Sequence, residues 1–278
     1  MTSTKIIGIL NITPDSFFDG GKFFSLESAL KQTESLINEG ADIIDVGGES
    51  TRPGSQPISV EEELRRVIPV IKEIKKNFPK VPISIDSYKY EVIKEALESG
   101  AEIINDIYAL RYSPQIVNLL KRYPQTKVIL MHMQGTPQTM QINPQYKKGV
   151  VNEIKEFFVE RIKFLLENGI KEDRVILDPG IGFGKTTQHN IEILKNLQEF
   201  KHLTVIGEQL TFPLLIGLSR KSFIGRILGS EETPLPPQER YEGTIVLHTY
   251  CIIQKVDYLR VHDVKPTKQA LKLISLLL

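Results

Sequence analysis

Asp45, Asp86, Asn105 and Asp178 each follow a short apolar run, and together they read as the lining of one ligand site. A carboxylate presents two acceptors side by side. It therefore suits a ligand edge carrying adjacent N–H donors, such as a guanidine-like ring edge, and an Asn adds one further donor or acceptor. Taken singly, each of the four could cap the next helix or pair with a nearby Lys; all four together favour the ligand. The same residues could instead hold a divalent cation. Oxygen ligands select Mg²⁺ over zinc, and the five His are too scattered for a His-rich cage. Positive charge arrives late, as Arg220 and Lys221 in GLSRKS and as Arg260 and His262 in LRVHDV. Such groups suit phosphate, and SRKSFIG could open a helix whose free N–H groups attract an anion. The competing structural reading pairs Arg220 and Arg260 with Asp86 or Asp263 as salt bridges. His132, in LMHM, reads as a packed strand residue rather than a catalyst. DPGIGFGKT at 178–186 is not a nucleotide loop, because Pro179 stands where G-x-x-x-x-G-K-[ST] needs Gly. Its glycines are expected to let backbone pass close to a ligand or to make a tight exit from a strand.

Eight apolar runs end on polar or charged residues: IIGIL before Asn11, DII before Asp45, VPISI before Asp86, EII before Asn105, VILM before His132, VIL before Asp178, LLIGLS before Arg220 and YL before Arg260. Helical periods lie between them, so strand and helix alternate eight times. That pattern predicts an α/β chain folded as a (β/α)8 (TIM) barrel, with its site beyond the carboxyl ends of the strands, where the eight polar termini converge. Val60, Leu64, Val67, Ile71 and Ile74 mark one helix, with Ser59 as N-cap and Glu62 completing a capping box. Ile154, Phe157, Phe158, Ile162 and Leu165 mark a second helix and Ile191, Leu194 and Leu197 a third, while Gly40, Gly100 and Gly169 punctuate three helix ends. LTVIGEQLTFPLLIGLS offers two candidates for the seventh strand. LLIGLS is preferred because it runs directly into Arg220 and Lys221.

The 278 residues fit one barrel domain over 1–278. With 35 Lys plus Arg against 34 acidic residues, the net charge of +1 gives no footprint for nucleic acid or an anionic membrane. MTSTKIIGIL enters the first strand within a few residues, which leaves no room for a targeting segment, and no apolar stretch is long enough to span a bilayer. Cys251, the single cysteine, allows neither an internal disulfide nor a cysteine metal cage. It is expected to be a buried thiol in a protein of the reducing cytoplasm. Residues 12–25, with a Pro, a Gly pair and four Phe, and residues 47–58, with three Gly and two Pro, read as long loops on the site side.

GILNITPDSFFDGG, IIDVGGESTRPG, SIDSYK, IINDI, LMHMQGTP, LDPGIGFGK, GLSRKSFIG and RVHDV, in this order from about residue 6 to the end, resemble the dihydropteroate synthase family. The resemblance implies a (β/α)8 barrel that joins 6-hydroxymethyl-7,8-dihydropterin diphosphate to p-aminobenzoate with Mg²⁺, releasing 7,8-dihydropteroate and diphosphate by an SN1-like substitution. Carried over motif by motif, it places Asp86, Asn105, Asp178, Phe183, Lys221 and Arg260 on the pterin. Asn11, Thr51, Arg52, Arg260 and His262 fall on the diphosphate, with Asn11 also at the magnesium. Phe17, Thr51, Pro53, Lys221 and Ser222 fall on p-aminobenzoate, and Asn11, Lys221, Arg260 and His262 form the catalytic set. It also implies a homodimer, through the last helices. The segment from Lys201 to Thr211 departs from the family pattern by its length and is expected to decorate the surface. Two alternatives remain: a methyltetrahydrofolate-binding methyltransferase-like domain, which needs no diphosphate grip, and a non-catalytic pterin-binding paralogue, which would be expected to lose loop residues first.

Overall fold

The computed structural model describes residues 4–12 and 26–278. Eight parallel strands alternate with helices: β1 (Lys5–Asn11), α1 (Leu26–Asn38), β2 (Ile43–Gly47), α2 (Val60–Asn77), β3 (Ile83–Asp86), α3 (Tyr90–Glu98), β4 (Ile103–Asp106), α4 (Ile116–Arg122), β5 (Lys127–Met131), α5 (Val150–Glu167) and β6 (Val175–Asp178) come first. Next come α6 (Thr187–Lys195), α7 (Leu197–Lys201), β7 (His202–Val205), β8 (Glu208–Thr211), β9 (Leu215–Ile216), α8 (Ser222–Leu228), α9 (Tyr241–Ile253), β10 (Tyr258–Val261) and α10 (Val264–Leu277). The sheet runs β6-β5-β4-β3-β2-β1-β10-β9, and a parallel bridge from Leu177 to Leu214 joins its two edges. This is the barrel that the alternation of apolar runs predicts.

Strand parity places the site. Ile7, Ile43, Ile103, Ile129, Ile176, Leu215 and Tyr258 form a closed apolar cluster inside the barrel. Side chains alternate faces along a strand, so positions two and four further on also point inward. Those positions are Ile9 and Asn11, Asp45, Asn105, Met131, Asp178 and Arg260, joined on β3 by Ser84, the register partner of Asp45, and then Asp86. The opposite parity, with Ile6, Ile44, Ile83, Ile104, Val128, Leu177 and Leu259, packs against the helices in the main core. Apolar residues below and polar residues above therefore follow from one register.

Three sequence expectations shift. Asp45, Asn105 and Arg260 are not strand termini, because β2, β4 and β10 continue to Gly47, Asp106 and Val261. Ser59 Oγ does accept from Glu62 N at 3.2 Å, but the Glu62 carboxylate bonds Arg65 and Arg66, so only half of the capping box forms. The third helix breaks at Asn196, leaving Leu197 to start α7. Other readings hold. Gly40, Gly100 and Gly169 follow α1, α3 and α5 at φ of 103°, 106° and 79°. Leu215–Ile216 within LLIGLS is the seventh barrel strand, and LTVIGEQLT instead forms the antiparallel hairpin β7/β8. Cys251 is fully buried, which pushes its thiol up to about 12. No helix among the described residues is long and apolar enough to cross a membrane.

The hairpin precedes β9 and so lies at the end of the barrel opposite the site, where Lys201 pairs with Asp257 at 2.7 Å. Leu203 and Val205 are buried, but its two-residue turn holds Ile206 at φ 52°, 63% exposed, followed by Gly207 at φ 80°. A β-branched residue is poorly suited to a left-handed position, which Asn before Gly occupies readily. Ile206→Asn should stabilise the fold by about 1 kcal/mol, read as a rise in Tm with unchanged ligand binding; an unchanged or lower Tm would show that the turn is not strained.

Candidate active site

Asp45, fully buried, accepts from Arg260 Nε at 2.7 Å and from Asn105 Nδ2 at 3.2 Å. Asp86 accepts from Arg260 Nη2 at 2.7 Å. One guanidinium thus spans two carboxylates of neighbouring strands, using the fork geometry that an ammonium lacks. Burial drives the Asp86 carboxyl up against the opposing pull of Arg260. For Arg260 burial acts downward, but Asp45 and Asp86 outweigh it and raise its pKa. Asp178 Oδ1 accepts from Gly180 N at 2.7 Å, and among the described residues Oδ2 has no hydrogen-bond partner. Burial raises the pKa of Asp178 while Lys221 lowers it. Asp178 and Arg260, both near the carboxyl ends of their strands, act on each other electrostatically.

Lys221 occupies the N-cap position of α8. Its Nζ donates to the Ile181 carbonyl and lies 4.3 Å from the centroid of the Phe183 ring. Burial drops its pKa to about 7, with Asp178 opposing. The glycines of 180–184 have the role expected of them. A Cβ on Gly180, at φ 67°, would stand 2.0 Å from the His132 carbonyl oxygen, so only Gly lets this turn cross the end of β5.

At the other side, Asn11 ends β1 and His262 follows β10. The His262 ring keeps solvent contact, but its recessed surroundings and the charge of Arg260 push it down to about 4, so it is neutral at pH 7. Arg52 lies within electrostatic reach of it. Thr51 and Ser222 are half-buried, and Arg52 and Pro53 are exposed. Phe17 and most of the 12–25 loop lie outside the described residues.

The salt-bridge reading applies to Arg220, whose guanidinium takes Asp263 at 2.6 and 3.0 Å. It applies to Arg260 as well, which pairs with Asp86 as expected and also with Asp45. His132 is packed, as expected, but its partner is Lys185, whose buried Nζ stands 3.0 Å from Nδ1. Sequence reasoning missed Lys185, and gave no role to Asp45 as the group that orients Arg260 and Asn105. The DII run was the available signal for Asp45; nothing marks Lys185 as buried. Among the described residues no group of three His, Cys, Asp or Glu could hold a metal ion. A Mg²⁺ here would draw on the Asn11 amide oxygen together with substrate phosphate and water, a donor set that suits this ion.

Known proteins carry the same pattern. The sequence profile described as "Pterin binding enzyme" matches residues 7–262. The dihydropteroate synthase of Escherichia coli K12 is 45% identical over 277 residues, covering 99% of this chain and 92% of that protein. The Xanthomonas albilineans dihydropteroate synthase structure with 4-aminobenzoic acid superposes with a TM-score of 0.86 at 39% identity, over 99% of this chain and 93% of that one. The Burkholderia cenocepacia enzyme complexed with 7,8-dihydropteroate gives 0.86 at 35% identity, over 99% and 91%. Alike from the first barrel strand to the residues that follow the last, the chain belongs to the pterin binding enzyme family and, within it, to the dihydropteroate synthases.

Proposed function

We propose that this chain, acting as one domain, condenses 6-hydroxymethyl-7,8-dihydropterin diphosphate with p-aminobenzoate to give 7,8-dihydropteroate and diphosphate. The observation that supports this most is that Asp178, Lys221 and Arg260 act on one another electrostatically, while Arg260 bridges Asp45 and Asp86. The pterin's N3–H and 2-amino group present two donors, which suit Asp178, while its ring carbonyl suits Lys221. Asp86 and Asn105 take further ring positions, and Phe183 supplies an apolar flank. Arg260 has two N–H groups committed to carboxylates and the rest of its five donors left for the diphosphate, or its plane for the ring face. Neutral His262 donates one N–H to the same anion, and Asn11, Thr51 and Arg52 complete that end. Thr51, Pro53, Ser222 and Phe17 close on p-aminobenzoate. When bound, Mg²⁺ neutralises charge on the departing diphosphate.

The C–O bond to diphosphate breaks first, because the electron-rich ring stabilises the exocyclic cation. The amine of p-aminobenzoate, already neutral near pH 7, then attacks and afterwards loses a proton. No protein nucleophile is needed. Positioning, charge stabilisation and exclusion of water carry the rate. A methyltetrahydrofolate-binding domain would have no use for Asn11, Arg260 and His262 at a phosphate end. Incubating the chain with pterin diphosphate, p-aminobenzoate and Mg²⁺ should yield dihydropteroate and diphosphate in equal amounts; absence of both would end this reading.

The Lys221 contact has a pH signature. A bound ring carbonyl favours the ammonium form, so binding takes up protons wherever free Lys221 is partly neutral, from about pH 7 upward. Pterin affinity should be nearly flat below about pH 6 and fall by up to about tenfold per pH unit above about 7. Calorimetry with the pterin alcohol across that range checks it, and a flat profile would remove Lys221 from the pterin contact.

The apolar residues Val246, Ile253, Leu273, Leu276 and Leu277 stand 43–78% exposed on α9 and α10, which supports a homodimer through the last helices. The single buried thiol suits a reducing cytoplasm.

A further inference from the structure

The loop from 48 to 58, which carries Thr51, Arg52 and Pro53, has a tightly bonded neck and a lightly held tip. Both ends of the neck meet Lys89, the N-cap residue of α3, only 7% exposed. Its Nζ donates to Glu49 Oε2 at 2.6 Å, to the Ile58 carbonyl at 2.8 Å and to Glu63 Oε2 at 2.6 Å, which uses all three N–H groups of the ammonium. Glu49 answers from the other side: Oε2 also accepts from Ile58 N at 2.9 Å, and Oε1 accepts from Tyr88 OH at 2.8 Å. Residues 49 and 58 are thereby fixed to each other and to the loop that follows β3. The tip has less. Gly54 N donates to the Pro137 carbonyl at 3.1 Å, and Gln138 Nε2 to the Ser55 carbonyl at 3.0 Å.

We propose that Lys89 and Glu49 are positioning residues that hold the neck of the 48–58 loop so that Thr51 and Pro53 meet p-aminobenzoate in one geometry; this rests on the synthase reading above. Neither group is placed to touch substrate, since the donors of Lys89 and both carboxylate oxygens of Glu49 are already committed within the neck. Among the described residues no side-chain hydrogen bond joins the neck to the pterin floor, whose acidic and cationic groups bond one another; only the charge of Glu63 reaches Asp86. Loosening the neck should therefore harm capture of p-aminobenzoate and spare binding of the pterin ring. Freed of its ends, the loop must be ordered at each binding event, which weakens apparent affinity.

Glu49→Gln tests this with little change of shape, because it turns an amide N–H₂ towards donors that the carboxylate now accepts. Hydrogen exchange across residues 49–58 should accelerate, and KM for p-aminobenzoate should rise by about tenfold, while Kd for the pterin alcohol stays within about twofold. Tyr88→Phe should shift the same readings less, and Lys89→Arg should restore part of what Lys89→Met loses. Unchanged exchange and unchanged KM in Glu49→Gln would overturn the proposal. So would a loss of pterin affinity as large as the rise in KM, since the network would then serve the whole barrel. If Lys89→Met fails to fold, Glu49→Gln and Tyr88→Phe still decide. If the unaltered protein makes no dihydropteroate, the synthase reading fails by itself, and exchange at 49–58 still reports whether the tether exists.

Discussion

Asp178→Asn should weaken binding of the pterin alcohol by about a hundredfold, near 3 kcal/mol, while the barrel stays folded. The amide can keep the internal bond, because its single carbonyl oxygen can go on accepting from Gly180 N, now 2.7 Å from Oδ1. Its N–H₂ must then take the place of Oδ2 and face the donor edge of the ligand. Two charge-assisted bonds become a donor–donor contact. A second loss compounds the first. The negative charge of Asp178 is what opposes the desolvation of Lys221, so its removal drives the lysine pKa further down from about 7 and weakens the donor that meets the ring carbonyl. Calorimetry at about pH 6 reduces the second effect, because the lower pH charges more of the lysine. Pterin affinity unchanged at that pH would take Asp178 out of the ligand contact.

What the sequence disclosed of this site follows from parity. Asn11, Asp86 and Asp178 end their strands, and each caps an apolar run from which inward-facing positions can be counted. Asp45 shares that parity, but its strand runs on through Val46 and Gly47, so the run alone could not show that it lies below the surface of the site. From there it accepts from both Arg260 and Asn105. Lys89, Glu63 and Lys185 were invisible for another reason. Charged side chains are almost never fully buried unless paired, and their partners come from loops distant in sequence. Lys185 finds His132 across 53 positions, and Lys89 finds Glu49 across 40. The half-formed capping box at Ser59 has a similar cause, since the Glu62 carboxylate prefers two guanidiniums one turn on to a backbone N–H. The hairpin β7/β8 carries both a strand pattern and a turn, yet a parallel barrel has no place for an antiparallel pair. The short β9 takes the seventh place because it pairs in parallel with β10 and continues towards Arg220 and Lys221.

Arg260 is the residue where the obvious substitution would mislead. Arg260→Ala removes the cation between Asp45 and Asp86, neither of which has another cationic partner among the described residues, and leaving buried carboxylates uncompensated costs about 3–5 kcal/mol of stability. Asp86, already pushed up by burial, would then bind a proton and stop acting as an acceptor for the pterin. A loss of activity in that variant would mix three causes. Arg260→Lys keeps the charge but not the fork, and a lysine ammonium on a flexible stem cannot reproduce two bonds of 2.7 Å to carboxylates on neighbouring strands while also presenting donors to an anion. It should therefore leave a cation beside both carboxylates and the floor largely intact, so that the pterin alcohol binds within about threefold of the unaltered protein. Turnover of the diphosphate substrate should fall by about a hundredfold or more, the scale lost when one preorganised donor to developing negative charge is removed. The comparison of the two ligands in one variant is the measurement that matters. Equal losses for alcohol and diphosphate would mean that Arg260 serves the ring alone, and the leaving anion would then have to be held by Asn11, Arg52 and His262 without it.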